Sequence, residues 1–416
     1  MIRTSAKSFR NETNMPTGSL SSHFEAIAAK ALSAVEASRA ASNQHEFNGV
    51  NQLKKMLGPD RKTIPARFIY LDEKETDSVI DETVTWYDAR ERHPTRSEYR
   101  LYFRTNAVTS CMSEDDLLVV GKLPDGSILI VVAADDTVKN QIRWLFQLPE
   151  GDALNSFVVH EINGGAGREL NYARRIILSQ LQIETTDTED EYLELLSDKF
   201  GTRFPGTEDF AKFTLETLPD VPMIDDPDAA LIALMDRNEM LFRTLEKHIV
   251  EPQISAGFDE VDKFIDFSQS VLNRRKSRAG YAFEHHVMQI LGRNELTYSH
   301  SKATENNSKP DFIFPCIEDY HNRHFPGSWL TVLGTKNTCK DRWRQVLAEC
   351  DRIEEKHLLT LEPGISEKQT REMKNRKLQL IVPNDLNPSY TDRQQSWLMN
   401  VSSFLQLVRE RQRATQ

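Results

Sequence analysis

Between residues 66 and 134 apolar side chains gather in short runs separated by polar and turn residues. The runs are ARFIYL (66–71), TVTWYDA (83–89), EYRLYFR (98–104), DLLVVGKL (116–123) and SILIVVAA (127–134). They are rich in β-branched and aromatic residues, which suit a pleated surface. Each run therefore predicts a strand. Pro124, Asp125 and Gly126 between the last two predict a hairpin, because glycine closes a turn at positive φ without strain. Five such strands in sequence suggest a small barrel or curved sheet. The 3.6-residue spacing of VKNQIRWLFQL (138–148) predicts a helix that could plug it.

The flanks read differently. Residues 1–19 are polar and aperiodic, which predicts a mobile tail. Residues 20–42 are rich in alanine, a strong helix former. Ser21 or Ser22 could cap such a helix, with Glu25 near its third position. EFNGVNQLKKMLG (46–58) predicts a second short helix ending at a glycine, making 1–60 a helical extension before a barrel domain over 61–185. The acidic run ETTDTEDE (184–191) and the turn-rich DVPMIDDP (220–227) mark boundaries, with 186–225 a linker. From 226 to 416 long helical patterns, AALIALMDRNEMLFRTLEKHIV and VDKFIDFSQSVLN, precede four strand-like runs: KPDFIFP, WLTVLGTK, HLLTLE and LQLIVP. Helical patterns separate the later runs, an order that implies an α/β domain with a partly parallel sheet between helices. The whole chain is then α+β.

Composition narrows the function classes. The chain has 416 residues, 63 acids against 52 lysines and arginines, and a net charge of −11. That balance argues against coating nucleic acid by bulk charge. No run approaches the roughly 20 apolar residues of a membrane span, and no signal-peptide core opens the sequence. The four cysteines, Cys111, Cys316, Cys339 and Cys350, lack zinc spacing. The expected setting is the reducing cytoplasm.

One set of residues carries candidate chemistry. Pro310-Asp311 opens a strand, Lys336 ends the next strong one, Glu349 follows 13 residues later, and Glu284 precedes them on a separate helix. Metal-dependent phosphodiester hydrolysis needs oxygen ligands for a cation such as Mg²⁺, and a positive group at the attacked phosphate. By pattern alone the set is equally well surface charge and a turn. A basic cluster, Arg274, Arg275, Lys276 and Arg278, lies just before Glu284 and suits either a DNA backbone or a solvated helix face. Lys340, Asp341, Arg342 and Arg344 follow Lys336. Arg or Lys donates to guanine and Asp accepts from cytosine in the major groove, whereas Asp341 could simply favour a helix N-terminus with Trp343 in the core.

The strings SVLNRRKSRAGYAFE, KPDFIFP with YH and FP downstream, and TKNTCKDRWRQVLAECDRI resemble the catalytic domain of EcoRII-type restriction endonucleases, which have the PD-(D/E)XK nuclease fold with an αβα core. The resemblance is colinear from about Asp226 to the C-terminus. It implies an Mg²⁺-dependent type II site-specific deoxyribonuclease that cuts double-stranded DNA as a homodimer. In that family the second metal-binding acid follows the lysine on the next helix. Asp311, Lys336 and Glu349 match that altered motif, Glu284 matches the acid of the preceding helix, and Gly334 fills the slot two before the lysine. The resemblance implies that Asp311, Glu349 and Glu284 hold the metal. It also implies that Lys340, Asp341 and Arg342 read a CCNGG- or CCWGG-like site, and that the helices at 228–272 are candidates for the dimer face. Tyr320 and His321 lie in the matching segment; His324 reads as a loop histidine.

In the N-terminal half, strand alternation would place Arg96, Glu98 and Arg100 on one face and Tyr99, Leu101 and Phe103 on the other. The polar face fits a DNA contact or a ladder of ion pairs. Residues 85–150 resemble, more faintly, the effector-DNA-binding pseudobarrel of the same family, with Thr95 to Arg100 at its DNA-contacting loop. That likeness implies a module that binds a second DNA copy and gates the catalytic half. Two other readings remain open from sequence: a DNA-binding regulator that kept the fold without the chemistry, and an enzyme acting on small molecules. NGGAGRE (163–169) lacks the strand and spacing of a phosphate loop and reads as a flexible turn.

Overall fold

The structure, a computed structural model, describes residues 20, 23–37, 46–48, 51–72, 78–148, 154, 156–162, 172–183, 190–339 and 342–414. The tail at 1–19, the glycine turn at 163–169, most of the acidic run at 184–191, and Lys340 and Asp341 lie outside them. The chain divides into two compact units. The first comprises Met1–Tyr70, Asp77–Ala134 and Pro149–Arg174, and the second Leu71–Thr76, Asp135–Leu148 and Arg175–Gln416.

The first unit is built on an eight-stranded sheet. In chain order its strands are β1 (Ala26–Ala31), β2 (Glu46–Asn48), β3 (Lys62–Leu71), β4 (Ser78–Asp88), β5 (Tyr99–Tyr102), β6 (Leu117–Lys122), β7 (Ile128–Ala133) and β8 (Val158–Glu161). Their order across the sheet is β2-β5-β4-β3-β7-β6-β1-β8. Helices α1 (Ala34–Ala37), α2 (Asn51–Leu57) and α3 (Ala107–Cys111) connect them. Helix α2 follows the edge strand β2 yet packs on β1 and β8 at the other edge, so the sheet curls on itself. One core runs through it, with Ala28, Phe47, Phe68, Trp86, Leu101, Val120 and Ile130 buried together. The expected strands form, and Gly126 closes the β6–β7 hairpin at φ +83° with its N–H on Leu123 O.

Among the described residues the helix expected over 20–42 is confined to the short α1 (Ala34–Ala37). Ala26–Ala31 is strand β1, paired with β6 and β8, and its burial leaves no exposed face. Local helix propensity yields here to pairing on both sides. Gly121 on β6 shows how tight the packing is: an added Cβ would lie 2.8 Å from Phe24. Lys30, inside this strand, is buried against Glu36 at 2.6 Å. Residues 46–48 are strand β2, so the extension expected over 1–60 contributes two strands to the sheet; the helix expected within 46–58 is confined to α2, ended by Gly58 at φ +85°.

The second unit opens with α4 (Asp136–Phe146), the helix expected to plug the barrel. It is fixed instead to the loop before α12 described below: Gln141 Nε2 donates to Pro363 O at 2.8 Å, and Ser366 N donates to Thr137 Oγ1 at 3.2 Å. After α5 (Tyr172–Gln180), the expected linker is two helices, α6 (Asp190–Phe200) and α7 (Thr207–Glu216). Their Leu196, Phe210 and Phe213 share a core with Met240, Leu241, Phe242 and Leu245 of α8 (Pro227–Ala256). Burying each such side chain contributes about 1.5–3 kcal/mol, so these residues are part of the domain rather than a tether. Helix α9 (Val261–Arg293) runs 33 residues.

A mixed five-stranded sheet follows: β9 (Ser299–His300), β10 (Phe312–Phe314), β11 (Thr331–Lys336), β12 (Lys356–Thr360) and β13 (Leu378–Ile381), in the order β13-β12-β11-β10-β9. Strands β11, β12 and β13 are parallel; β10 joins antiparallel to β11's other side, and β9 antiparallel to β10. The remaining helices are α10 (Ile317–His321), α11 (Trp343–Leu347), α12 (Glu367–Asn375), α13 (Asp392–Gln395) and α14 (Val401–Arg413). Phe404 of α14 packs on Phe314 and His357, covering one face of the sheet. On the other face Ile313 and Val332 pack with Tyr320, Cys350 and Ile353, and Val346 of α11 lies against Gly334. The result is the expected αβα layering. Asp228 fastens α8 to the start of α14, accepting the N–H groups of Val401 and Ser402 at 2.8 and 2.9 Å.

Candidate active site and nucleic-acid surfaces

Strand β11 is where the parallel and antiparallel parts of the sheet meet, and the candidate residues gather at its C-terminal end. Phe312 pairs with Leu333, which sets Asp311 level with Gly334. Asp311 Oδ2 accepts the Thr335 N–H at 2.6 Å, the Thr335 hydroxyl at 3.0 Å and the Lys336 ammonium at 3.0 Å. The side chains of Asp311 and Lys336 are only 15% and 14% exposed, which strengthens their attraction relative to a pair in open water.

Gly334 explains where the second acid must come from. A Cβ at this position would meet Val346 Cγ2 at 2.7 Å and Val346 Cγ1 at 3.3 Å. A carboxylate two residues before the lysine would therefore collide with α11. The glycine lets α11 lie directly on the sheet, and the chain leaving that helix carries Glu349. The helix is shorter than the sequence suggests, ending at Leu347, so Glu349 sits just beyond its C-cap with its N–H on Val346 O. Burial, and then the charge of Asp311, push the Glu349 carboxyl up to about 7; Lys336 and Lys356 pull the other way. Asp311, Lys336 and Glu349 thus influence one another electrostatically.

Glu284 reaches the same region differently. It accepts or shares a proton with His300 Nε2 at 3.2 Å, and His300 stands opposite Phe312 in the sheet register. It lies against the Phe312 ring, on the face opposite Gly334 and Lys336. Among the described residues no three carboxylates, imidazoles or thiols are gathered closely enough to hold one ion. Asp311 and Glu349 are a pair, and Glu284 stands apart with His300. Sequence reading missed His300, since only strand pairing sets it opposite Phe312 and within reach of Glu284.

The basic cluster answers to internal partners. Arg275 donates to Glu246 at 2.6 Å, Arg278 is buried and donates to Asn238 and Glu239, and Arg274 lies 4.0 Å over the Phe204 ring. Arg275 and Arg278 tie α9 to α8, and Arg274 packs on the segment between α6 and α7, so these three side chains have internal partners where the sequence suggested a track to a phosphate backbone. Lys276 alone of the four is exposed. Replacing Arg278 with alanine takes the buried donor from Asn238 Oδ1 and leaves Glu239 with Arg243 alone. The expected cost is about 1–3 kcal/mol, read as a lowered urea midpoint.

Downstream of Lys336, Arg342 is exposed at the start of α11, while Arg344 pairs with Glu372 at 2.9 Å and Trp343 is fully buried. Tyr320 is buried too; its hydroxyl donates to Glu305 at 2.6 Å, and burial raises its ionisation well above normal. His321 and His324 are exposed at and after the end of α10.

In the first unit Tyr99, Leu101 and Phe103 are buried, as strand alternation requires. Glu98 and Arg100 do not face solvent unpaired. Arg90 donates to Glu98, and Arg100 donates to both Glu98 and Glu46, each at 2.5 Å. The ladder reading of this face holds for these two residues. Arg96 stands outside it, exposed in the loop before β5 with its N–H on His93 Nδ1.

Comparison with known proteins adds a family to this geometry. Residues 242–405 match the EcoRII C-terminal family. The chain is 35% identical over 245 residues to the type II restriction enzyme EcoRII of Escherichia coli, covering 59% of this chain and 58% of that protein. It therefore spans less than two thirds of that relative's length. Two solved structures show loose likeness. One is metal-depleted Ecl18kI in complex with uncleaved, modified DNA, with TM-score 0.43, 19% identity, and 55% and 86% of the two chains covered. The other is a restriction endonuclease PspGI–substrate DNA complex, with TM-score 0.41, 18% identity, and 50% and 94% covered. No helix among the described residues is long and apolar enough to cross a membrane. Asp311, Lys336 and Glu349 all lie inside the segment of the second unit that matches the EcoRII C-terminal family.

Proposed function

We propose that this chain is an Mg²⁺-dependent, site-specific endonuclease that hydrolyses phosphodiester bonds of double-stranded DNA at a short G·C-rich site of the CCNGG or CCWGG kind. The observation that carries the reading is the Asp311–Lys336 contact at 3.0 Å beside a carboxyl, Glu349, pushed up to about 7. Two acids in so confined a place call for a cation. Among the described residues the donors on Asp311 all fall on Oδ2, which leaves Oδ1 for a metal. One or two carboxylates with several waters suit Mg²⁺, so Asp311 and Glu349 fit it as a pair, with Glu284 acting from the far side of the sheet edge. Bound there, the ion would polarise the phosphate and acidify a water. Thr335 holds Asp311 in place through both its N–H and its hydroxyl. Lys336 supplies a fixed positive charge for the phosphate oxygens as negative charge develops.

Arg342 is the exposed reader, donating to a guanine edge; Lys340 and Asp341 complete the set by the family resemblance. Arg342→Ala should lower discrimination at one base pair by about 1–3 kcal/mol, measured as the ratio of cutting rates on cognate and singly substituted duplexes. A uniform loss of affinity with discrimination intact would make Arg342 a phosphate contact. The first unit binds a second DNA copy through the loop carrying Arg92, His93 and Arg96, which the Arg90–Glu98–Arg100–Glu46 ladder holds firm. The active form is a homodimer, because a palindromic site calls for two-fold symmetry. Exposed Val261, Phe264, Ile265 and Leu272 on α9 supply an apolar surface for it. Digestion of a plasmid of known sequence with Mg²⁺, followed by end mapping, tests the function. A single repeated cleavage sequence is expected, and intact plasmid under all divalent ions would leave the alternative of a non-catalytic DNA-binding regulator. Sedimentation of the same preparation should give twice the chain mass.

A further inference from the structure

Glu362 is a carboxylate that no step above uses. It lies just past β12 and is 3% exposed. Its Oε2 accepts the backbone N–H of Cys339, which is itself fully buried. Two residues earlier, the Thr360 hydroxyl donates to the carbonyl oxygen of Lys336 at 2.7 Å, and Thr360 Oγ1 accepts the Glu362 N–H at 3.1 Å. On the other side of the turn, Arg342 N–H donates to Cys339 O at 2.7 Å. The Glu362 carbonyl in turn accepts the buried Tyr390 hydroxyl at 2.5 Å. Lys336 and Cys339 are therefore tied through their own backbone groups to the end of the neighbouring parallel strand, and Arg342 is tied to Cys339.

Burying a carboxylate is expensive, and a neutral acceptor would satisfy one N–H. A charged acceptor makes a shorter and stiffer bond. Stiffness matters here because one end of the turn carries the ammonium that faces Asp311 and the other carries the exposed guanidinium. A displacement of about 1 Å between a positioning group and the reacting atoms can cost about 10²-fold in rate.

We propose that Glu362 is a positioning residue for the Lys336–Cys339 segment: its buried carboxylate on the Cys339 N–H, with the Thr360 hydroxyl on the Lys336 carbonyl, fixes the catalytic ammonium relative to Arg342, whose N–H donates to Cys339 O. This rests on the nuclease reading above. It acts on the rate at the correct site and on discrimination against wrong ones, through the backbone of Cys339.

The test uses full-length protein, Mg²⁺, and duplexes with the cognate or a singly substituted site. Glu362→Gln keeps shape and an acceptor but loses the charge. It should melt within a few degrees of the wild type and bind DNA within a few-fold. Its single-turnover cutting should be about tenfold slower or worse, with a smaller ratio of cognate to substituted rates. Thr360→Val, which removes the hydroxyl from the Lys336 carbonyl at nearly constant shape, should move rate and discrimination the same way. A Glu362→Gln protein that melts, cuts and discriminates as the wild type does would overturn the proposal. So would fast hydrogen exchange at the Cys339 amide in the unmodified protein, where protection like that of β12 is expected. That last measurement needs neither folding of a variant nor cleavage. Absence of cutting by the wild type, with the Cys339 amide protected, would instead count against the nuclease reading.

Discussion

Lys336→Ala is expected to slow DNA cleavage by at least about 10²–10³-fold while leaving DNA affinity within a few-fold. The ammonium sits 3.0 Å from Asp311 and is 14% exposed, so it acts on groups held in the site rather than on DNA at a distance. Deleting it also leaves Asp311 and Glu349 facing each other without their shared cation, which drives the Glu349 carboxyl further up and favours its protonated form. The check is a single-turnover rate beside a binding isotherm at matched salt. Retained cutting would remove Lys336 from the mechanism.

Glu349→Gln should have an effect of similar size on cleavage and the opposite sign on stability. The folded-state carboxyl titrates near 7, above its ordinary value of 4.5, because burial and Asp311 disfavour its charge. Below pH 4.5 folded and unfolded chains both hold the proton. Between 4.5 and 7 the unfolded chain has released it and the folded chain has not, so stability falls as pH rises through that window. Above 7 the loss is complete, at no more than about 3 kcal/mol. Glutamine cannot ionise, so the variant should melt higher than the wild type at pH 8 without divalent ions. It should match the wild type at pH 4 and cut no DNA. A divalent ion must displace the proton, so Mg²⁺ affinity should improve roughly tenfold from pH 6 to pH 8 in the wild type, and not in the variant. Melting curves across pH, with and without Mg²⁺, decide it; a variant no more stable than the wild type at pH 8 would contradict the assigned environment.

Sequence reading succeeded where the information is local. Strands β3, β4 and β5 were legible from short β-branched and aromatic runs with polar residues between, and β6 and β7, buried on both faces, from apolar runs flanking the Pro124–Gly126 turn. Strand β1 was not, because Ala26–Ala31 is covered on both faces and shows no alternation, while alanine favours a helix in isolation. Helices α6 and α7 were hidden among acids and prolines that resemble a tether, although Phe210 and Phe213 reach the α8 core. The order Asp311, Lys336, Glu349 was readable by resemblance, and the sheet brings the three together. The basic run at 274–278 misled, since Glu239 and Glu246 lie on the preceding helix and no local pattern announces that pairing. His300 and Glu362 share that reason for escaping notice: each gains its partner through strand neighbours distant in sequence.

Gly334 has one further consequence. Because it lets Val346 rest on the sheet, the short rod Trp343–Leu347 begins at the exposed arginine and releases the chain one residue before Glu349. At 1.5 Å per residue that rod is about 7.5 Å long, too short to bend between its ends. On the proposed function, a tilt imposed at Arg342 would be carried to the carboxylate of Glu349, so a mispaired dock would misalign the proposed hydrolytic site in the same motion. Changes made at Arg342 and Glu349 would then be coupled while the glycine remains.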